Sequence, residues 1–228
     1  MHDHRSYQGP RPELVKLLSS PQRILDVGCN NGAVARAVKA KHPNVLIWGI
    51  EINAKALEQA RPALEDGWAL DLDAADIKKT LVGLTFDHIL AGDVLEHTVN
   101  YQRITGDLYA HLRPGGRMIV SVPNYGHWHL LLTFLKRKWE RNERGIFDKT
   151  HRTIIMWRNL PEFISECPGA SLKLVKRNFR LFETNKYWKL NMLITYTLFP
   201  LLIIPYINDF ITMSYVFTIS KPLDQDEN

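Results

Sequence analysis

The sequence predicts an α/β fold, a doubly wound and mostly parallel sheet in a single domain spanning residues 1–228. Two observations predict it. Short apolar runs of strand type alternate with amphipathic helical segments from residue 22 onward. Acidic residues and glycines also recur where those runs end, the edge at which open α/β sheets bind ligands.

Arg23 to Val27 reads as the first strand, and Ala33 to His42 as a helix that stops before Pro43. Val45 to Ile50 is the second strand. Asn53 to Leu64 is a helix with Asn53 as its N-cap. Trp68 to Leu70 is a short third strand and Phe86 to Ala91 the fourth. Tyr101 to Leu112 is a helix closed by the turn Pro114-Gly115-Gly116. Arg117 to Val122 is the fifth strand, and Leu172 to Phe182 and Thr212 to Ser220 are the last two. Two segments stand outside this sheet: a cap insert at about 126–160 and a hydrophobic insert at about 186–208.

Composition restricts the function. A chain of 228 residues with 45% hydrophobic and 23% charged residues is an ordinary globular domain. The net charge of +5 suits an anionic substrate, nucleic acid, an acidic membrane surface or a plain solvated surface. Cys29 and Cys167 give neither a disulfide framework nor a metal-ligand spacing, so a reducing cytoplasm and no metal are expected. Cys29 reads as a packing residue in its turn. The start, Met1-His2-Asp3-His4-Arg5, lacks a signal-peptide core and reads as a polar end rather than a His-x-His metal site.

The richest stretch is Ile24-Leu25-Asp26-Val27-Gly28-Cys29-Asn30-Asn31-Gly32. A strand ends in an acid and a glycine turn, and a helix follows. The loop amides and the helix start are then available to a polar ligand. The dinucleotide fingerprint G-x-G-x-x-G does not fit, because Asn30 and Ala33 stand where glycines belong. Asp26 would repel a pyrophosphate and suits a cationic amino-acid group. Glu51, at the end of the second strand, can accept hydrogen bonds from both hydroxyls of a ribose.

These residues resemble the class I S-adenosylmethionine-dependent methyltransferases. The resemblance covers about Ile24 to Asn124 and implies a Rossmann-like seven-stranded sheet with S-adenosylmethionine as cofactor. Asp71-Leu72 resembles the adenine-reading pair after the third strand. Phe86 to His97 resembles the fourth-strand segment, and Leu112-Arg113-Pro114-Gly115-Gly116 the turn before the fifth. The resemblance implies that Asp26, Gly28, Asn30, Gly32, Glu51, Asp71, Leu72 and Asp93 bind the cofactor. Asn30 replaces a common glycine, and a short polar side chain tolerates the left-handed geometry there.

Methyl transfer to a hydroxyl needs alignment and removal of a proton. His97, just past the fourth strand, is a candidate base or a histidine with only local bonds. Gly145 to Thr153 partly resembles the Asp-x-Thr-His-x-Arg signature of polysaccharide and sugar-modification methyltransferases, which makes His151 and Asp148 candidates. It departs from that signature at Arg152-Thr153 and Ile154-Ile155. Asn124 is placed beside the transferred methyl or serves its own turn. His127 and His129 line the acceptor site or begin a helix. His42, His88 and His111 read as structural.

The expected activity is O-methylation of a sugar, glycan or other small-molecule hydroxyl. Methylation at nitrogen or carbon is an alternative. So is a methyltransferase-like partner protein of methionine biosynthesis, to which Val122 to Trp128 is similar. A nucleic-acid substrate is not expected, since Gly92-Asp93-Val94-Leu95 is not an Asn/Asp-Pro-Pro-aromatic motif. Trp128 to Arg144 reads as an amphipathic helix with a basic second half over the acceptor site. Leu190 to Ile207 is an uncharged stretch broken by Pro200 and Pro205. It reads as a core or homodimer helix, or as a peripheral membrane contact flanked by Lys186, Tyr187, Trp188 and Lys189.

Overall fold

The computed structural model describes residues 9–139, 142, 145–180, 189, 193, 197 and 205–223. In chain order they form α1 (Pro12–Val15), β1 (Arg23–Val27), α2 (Ala33–Lys41), β2 (Leu46–Glu51) and α3 (Ala54–Ala60). There follow β3 (Asp66–Ala69), α4 (Ile77–Thr80), β4 (Phe86–Gly92), α5 (Tyr101–Ala110), β5 (Leu112–Pro123) and α6 (Trp128–Leu135). The remainder is β6 (Ser171–Phe179), α7 (Pro205–Ile211) and β7 (Thr212–Ser220). Short 3-10 helices lie at Arg61–Ala63, Leu95–His97 and Trp157–Ile164.

One seven-stranded sheet runs in the order β3-β2-β1-β4-β5-β7-β6, with β7 antiparallel to both its neighbours and the pairs from β3 to β5 parallel. The strand order reverses between β1 and β4, and in open α/β sheets ligands bind at the carboxyl ends of the strands beside such a reversal.

The central strands are apolar on both faces because both are covered. Alternate residues divide between two cores, as the pleat requires. Leu25, Val27, Ile89, Met118, Val120, Tyr215 and Phe217 pack with Tyr101, Ile104, Leu108 and Phe163. Ile24, Leu90, Ile119 and Val216 pack on the other face with Leu14, Val15, Ala35 and Val38. Asp26 shares the parity of Ile24, so it points to the side that holds α1. The edge strand β6 carries Lys173, Lys176 and Arg177, charges of the kind that discourage edge-to-edge pairing.

Most strands fall within a residue or two of their expected bounds, and Asn53 caps α3 by accepting from the amides of Lys55 and Ala56. Several boundaries differ for identifiable reasons. Pro62 tightens the end of α3 into the turn Arg61–Ala63, so the helix stops short of Leu64. Pro114-Gly115-Gly116 does not precede β5 but lies within it. The pairing jumps from Phe86–Leu112 to His88–Arg117, and the extra residues form an irregularity around Gly115, whose φ is +75°. The expected helix from Trp128 to Arg144 ends at Leu135 with Lys136 as its C-cap, so the basic residues Lys136, Arg137 and Lys138 are not helical. The stretch Leu190–Ile207 lies mostly outside the described residues, and with it the core, dimer and membrane readings. Among the described residues no helix is long and apolar enough to cross a membrane.

Candidate active site

The glycine turn is held from both sides. The amides of Gly28 and Cys29 donate to the Ile50 carbonyl at 2.7 and 3.1 Å, which ties the end of β1 to β2. Gly28 has φ +71°, and a Cβ there would lie 2.3 Å from Val94 Cγ2. Glycine is therefore required for the loop after β4 to come this close. Asn30 adopts the left-handed conformation at φ +48°. Gly32 starts α2 at φ +79°, where a Cβ would strike the Ala60 backbone at 2.8 Å.

Glu51 organises this loop. Its Oε2 accepts from the Asn30 amide and its Oε1 from the Asn53 amide, each at 2.9 Å. A carboxylate has about four acceptor sites, so both oxygens keep capacity for further donors. Asp26 is 4% exposed, and its Oδ2 has no hydrogen-bond partner. Burial raises its pKa to about 7; Arg11 pulls it down, and Glu51 adds to the rise.

Arg11, which no spacing in the sequence signals, reaches this edge of the sheet. Its guanidinium is an ion pair with Asp93 Oδ2 at 2.7 Å and donates to Ser121 Oγ at 3.2 Å. Ser121 donates to Asp93 Oδ1 at 2.7 Å, so both oxygens of Asp93 are engaged within the protein. Burial opposes the charge on Arg11, but Asp93 outweighs it and raises the arginine's pKa. Beyond β3, Asp71 is exposed and accepts from the Asp73 amide at 2.9 Å, while Leu72 is buried. Asp73 accepts from the Val99 amide and from Arg152, and Arg103 donates to the carbonyls of Leu72 and Asp73. These bonds tie the loop after β3 to the loop after β4.

The histidines separated in sequence meet here. The 3-10 turn Leu95–His97 follows β4, and the Glu96 carbonyl accepts from the amides of Arg152 and Thr153. This pins the 145–153 segment beside it. The rings of His97 and His151 lie 4.8 Å apart, edge to face. His97 Nδ1 bonds Thr150 Oγ1 at 2.9 Å, and Thr150 Oγ1 donates to Asp148 Oδ1 at 2.6 Å. His151 Nδ1 lies 3.1 Å from the Ile146 carbonyl and 2.9 Å from the Tyr125 hydroxyl. Burial, then the neighbouring His97, lowers the pKa of His151 and favours its neutral form. Glu96 is 1% exposed. Burial, then Asp93, pushes its pKa well above the usual carboxylate range.

Other candidates turn out to be scaffold. Asn124 is fully buried. Its Nδ2 donates to the carbonyls of Asp209 and Thr212, and its Oδ1 accepts from Gly126, so the amide serves the turn and not a transferred methyl. His127 caps α6 and bonds the Arg180 carbonyl at 2.7 Å; burial lowers its pKa to about 4. It begins a helix rather than lining a pocket. Asp148 reaches His97 through Thr150, an arrangement that orients the histidine ring. Cys29 is buried against Gly49 as packing, and burial raises its thiol pKa. His88 pairs with Asp87 at 3.0 Å, and His111 with the Leu84 carbonyl at 2.9 Å.

Residues 25–118 match the family model of a methyltransferase domain. The solved structure of an S-adenosylmethionine-dependent methyltransferase from Mesorhizobium loti aligns with a TM-score of 0.60 at 18% identity, over 92% of this chain and 96% of that one. The fold is that of the class I S-adenosylmethionine-dependent methyltransferases. A plantazolicin methyltransferase solved with a desmethyl-plantazolicin analogue and S-adenosylhomocysteine shares this methyltransferase fold. Its TM-score is 0.58 at 14% identity, over 91% of this chain and 79% of that one. Among curated proteins, the trans-aconitate 2-methyltransferase of Deinococcus radiodurans is 29% identical over 54% of this chain and 47% of its own length. The ubiquinone biosynthesis O-methyltransferase of Rickettsia felis is 30% identical over 46% of this chain and 43% of its own. The chain thus spans about half the length of the curated relatives it matches.

Proposed function

We propose that this chain transfers a methyl group from S-adenosylmethionine to a hydroxyl oxygen of a sugar, glycan or other small molecule. The observation that carries the proposal is the pairing of His97 with His151 next to Glu96, which shares with Asp26 the charge of Arg11. The residues fit the cofactor. Asp26 Oδ2 is a buried carboxylate oxygen without a partner, suited to an ammonium group. Glu51 has remaining lone pairs for two ribose hydroxyls. Ile52, 62% exposed although apolar, adjoins Glu51 and offers a face to a base, with Asp71 and the Leu72 amide to read its edge. In these roles Gly28, Asn30 and Gly32 shape the turn, while Asp93 acts through Arg11.

The bound cofactor supplies a methyl group already activated on a positive sulfonium. The protein aligns the acceptor, excludes water and removes the hydroxyl proton. Thr150 donates its own proton to Asp148, so His97 must carry its proton on Nδ1 to bond Thr150. That leaves a basic Nε2 to take the acceptor's proton as the oxygen–carbon bond forms. A base so positioned contributes about 10²–10⁴-fold, and alignment roughly 7–11 kcal/mol.

The sugar or glycan class draws its support from the Asp148-Lys149-Thr150-His151 segment. The names of the relatives point instead to trans-aconitate and to ubiquinone biosynthesis. The test is transfer of labelled methyl from S-adenosylmethionine into a panel of sugars, glycan fragments, phenols and carboxylic acids. Label in an ether of a sugar hydroxyl is the expected result. Label at nitrogen or carbon, or S-adenosylhomocysteine binding without any turnover, contradicts it; the last outcome describes a partner protein.

A further inference from the structure

We propose that Glu96, His97 and His151 form a binding site for a divalent first-row transition cation. One ligand atom from each residue lies within 4.8 Å of the other two. Tetrahedral coordination with bonds of about 2.0–2.2 Å places such atoms roughly 3.3 Å apart, a closure that side-chain rotation supplies. His97 and His151 are 54 positions apart in sequence, so no motif spacing announces the site.

Three features distinguish it from a chance cluster. The first is Glu96. Its side chain is 1% exposed, its Oε2 has no hydrogen-bond partner, and its Oε1 lies 3.9 Å from His151 Nε2. A buried carboxylate oxygen without a donor is destabilising, and a cation between the carboxylate and the imidazoles removes that cost.

The second feature is the tautomers. His151 Nδ1 lies against the Ile146 carbonyl and the Tyr125 hydroxyl; the carbonyl can only accept and the hydroxyl oxygen is able to, so the tautomer that satisfies both carries its proton on Nδ1 and its lone pair on Nε2, facing Glu96. Thr150 fixes the same tautomer in His97, because its hydroxyl proton is committed to Asp148. Imidazoles that ligate metals are oriented by such an outer hydrogen bond to a carbonyl, hydroxyl or carboxylate. The third feature is the donor set. Two neutral imidazoles and one carboxylate suit zinc, manganese, iron or cobalt rather than magnesium or calcium. Three protein ligands leave a coordination position open.

The use of that open position rests on the methyl-transfer reading above. There the cation would take the acceptor oxygen as a ligand and lower the pKa of its hydroxyl. With the lone pairs of His97 and His151 on the cation, the released proton would pass to solvent water, and His97 would act as a ligand in place of its role as base. The binding site itself does not depend on that reading.

The test is calorimetric titration of the chelator-stripped full chain with zinc chloride and with manganese chloride. Saturable binding of about one cation per chain is expected. Glu96→Gln and His151→Gln should each weaken it at least a hundredfold, and Thr150→Val about 10–100-fold. The double variant His2→Ala/His4→Ala should bind as the parent does. Thermal unfolding and S-adenosylhomocysteine binding establish that each variant is folded. The proposal is overturned if the parent chain binds no cation, if folded Glu96→Gln binds equally well, or if binding disappears with His2 and His4. A chain that binds the cation but not S-adenosylhomocysteine keeps this site and removes the methyl-transfer reading. The opposite result removes the site alone.

Discussion

His97→Ala is expected to lower kcat for methyl transfer by about 10²–10⁴-fold, with a much smaller change in the KM for the cofactor. The histidine lies past the end of β4, where its ring meets His151 and its Nδ1 is anchored through Thr150 to Asp148. Removing it takes away the proton acceptor and leaves the glycine turn untouched. His151→Ala should cost a similar amount. The double variant should cost little more than either single one, because the two rings act on the same proton. Steady-state kinetics on the acceptor found in the labelled-methyl assay gives the result. Undiminished kcat in both single variants would reject hydroxyl deprotonation and favour a nitrogen or carbon acceptor. The cation site adds a distinguishing observation. If the histidines act as ligands, a chelator reproduces the loss in the parent chain and added zinc or manganese restores it.

Glu51→Ala is expected to weaken S-adenosylhomocysteine binding by roughly 30–150-fold, or about 2–3 kcal/mol. This is the size of losing charge-assisted hydrogen bonds to two hydroxyls. The same carboxylate accepts from the amides of Asn30 and Asn53, so the variant also loses fold stability as both amides lose their acceptor. Glu51→Gln separates the two effects. It keeps one carbonyl oxygen for one amide and one hydroxyl, and it should fall between the parent and the alanine variant in affinity. Calorimetry checks the affinities and urea unfolding the stability. Parental affinity in Glu51→Ala would remove the ribose assignment.

Much of this architecture was legible because its cause is local. The strands β1, β2 and β4 are short apolar runs that end in Asp26-Val27-Gly28, Glu51 and Gly92-Asp93, and the acids at one sheet edge follow from a parallel topology. Asn53 was legible as a cap because its side chain bonds amides two and three residues on. Boundaries failed where tertiary pairing overrode a turn signal. The Pro114-Gly115-Gly116 stretch bulges out of the β4 pairing yet stays within β5, because the chain after β7 bonds it: the Gly115 amide donates to the Pro222 carbonyl and the Lys221 amide to the Gly116 carbonyl. The charged residues after Leu135 do not extend α6 despite their helical pattern. Contacts made by packing left no trace in the sequence. Arg11 reaches Asp93 across 82 positions, and Thr150 joins His97 to Asp148 only because the Glu96 carbonyl pins the segment there. For the same reason Asn124 and His127 read as site residues in the sequence, although their hydrogen bonds turn inward to the chain ends of β7 and β6.

The central claim is that a buried acid at the end of β1 grips the cationic end of the cofactor. It is tested most directly by the affinity for S-adenosylhomocysteine at pH 6 and pH 8, in the parent chain and in Asp26→Asn. The pKa of Asp26 is raised to about 7, so it is mostly protonated at the lower pH and mostly ionised at the higher one. Only the ionised form attracts an ammonium group, so the parent chain should bind about tenfold more tightly at pH 8 than at pH 6. Asp26→Asn should bind weakly and equally at both. A flat profile in the parent chain, or parental affinity in Asp26→Asn at pH 8, would contradict the account.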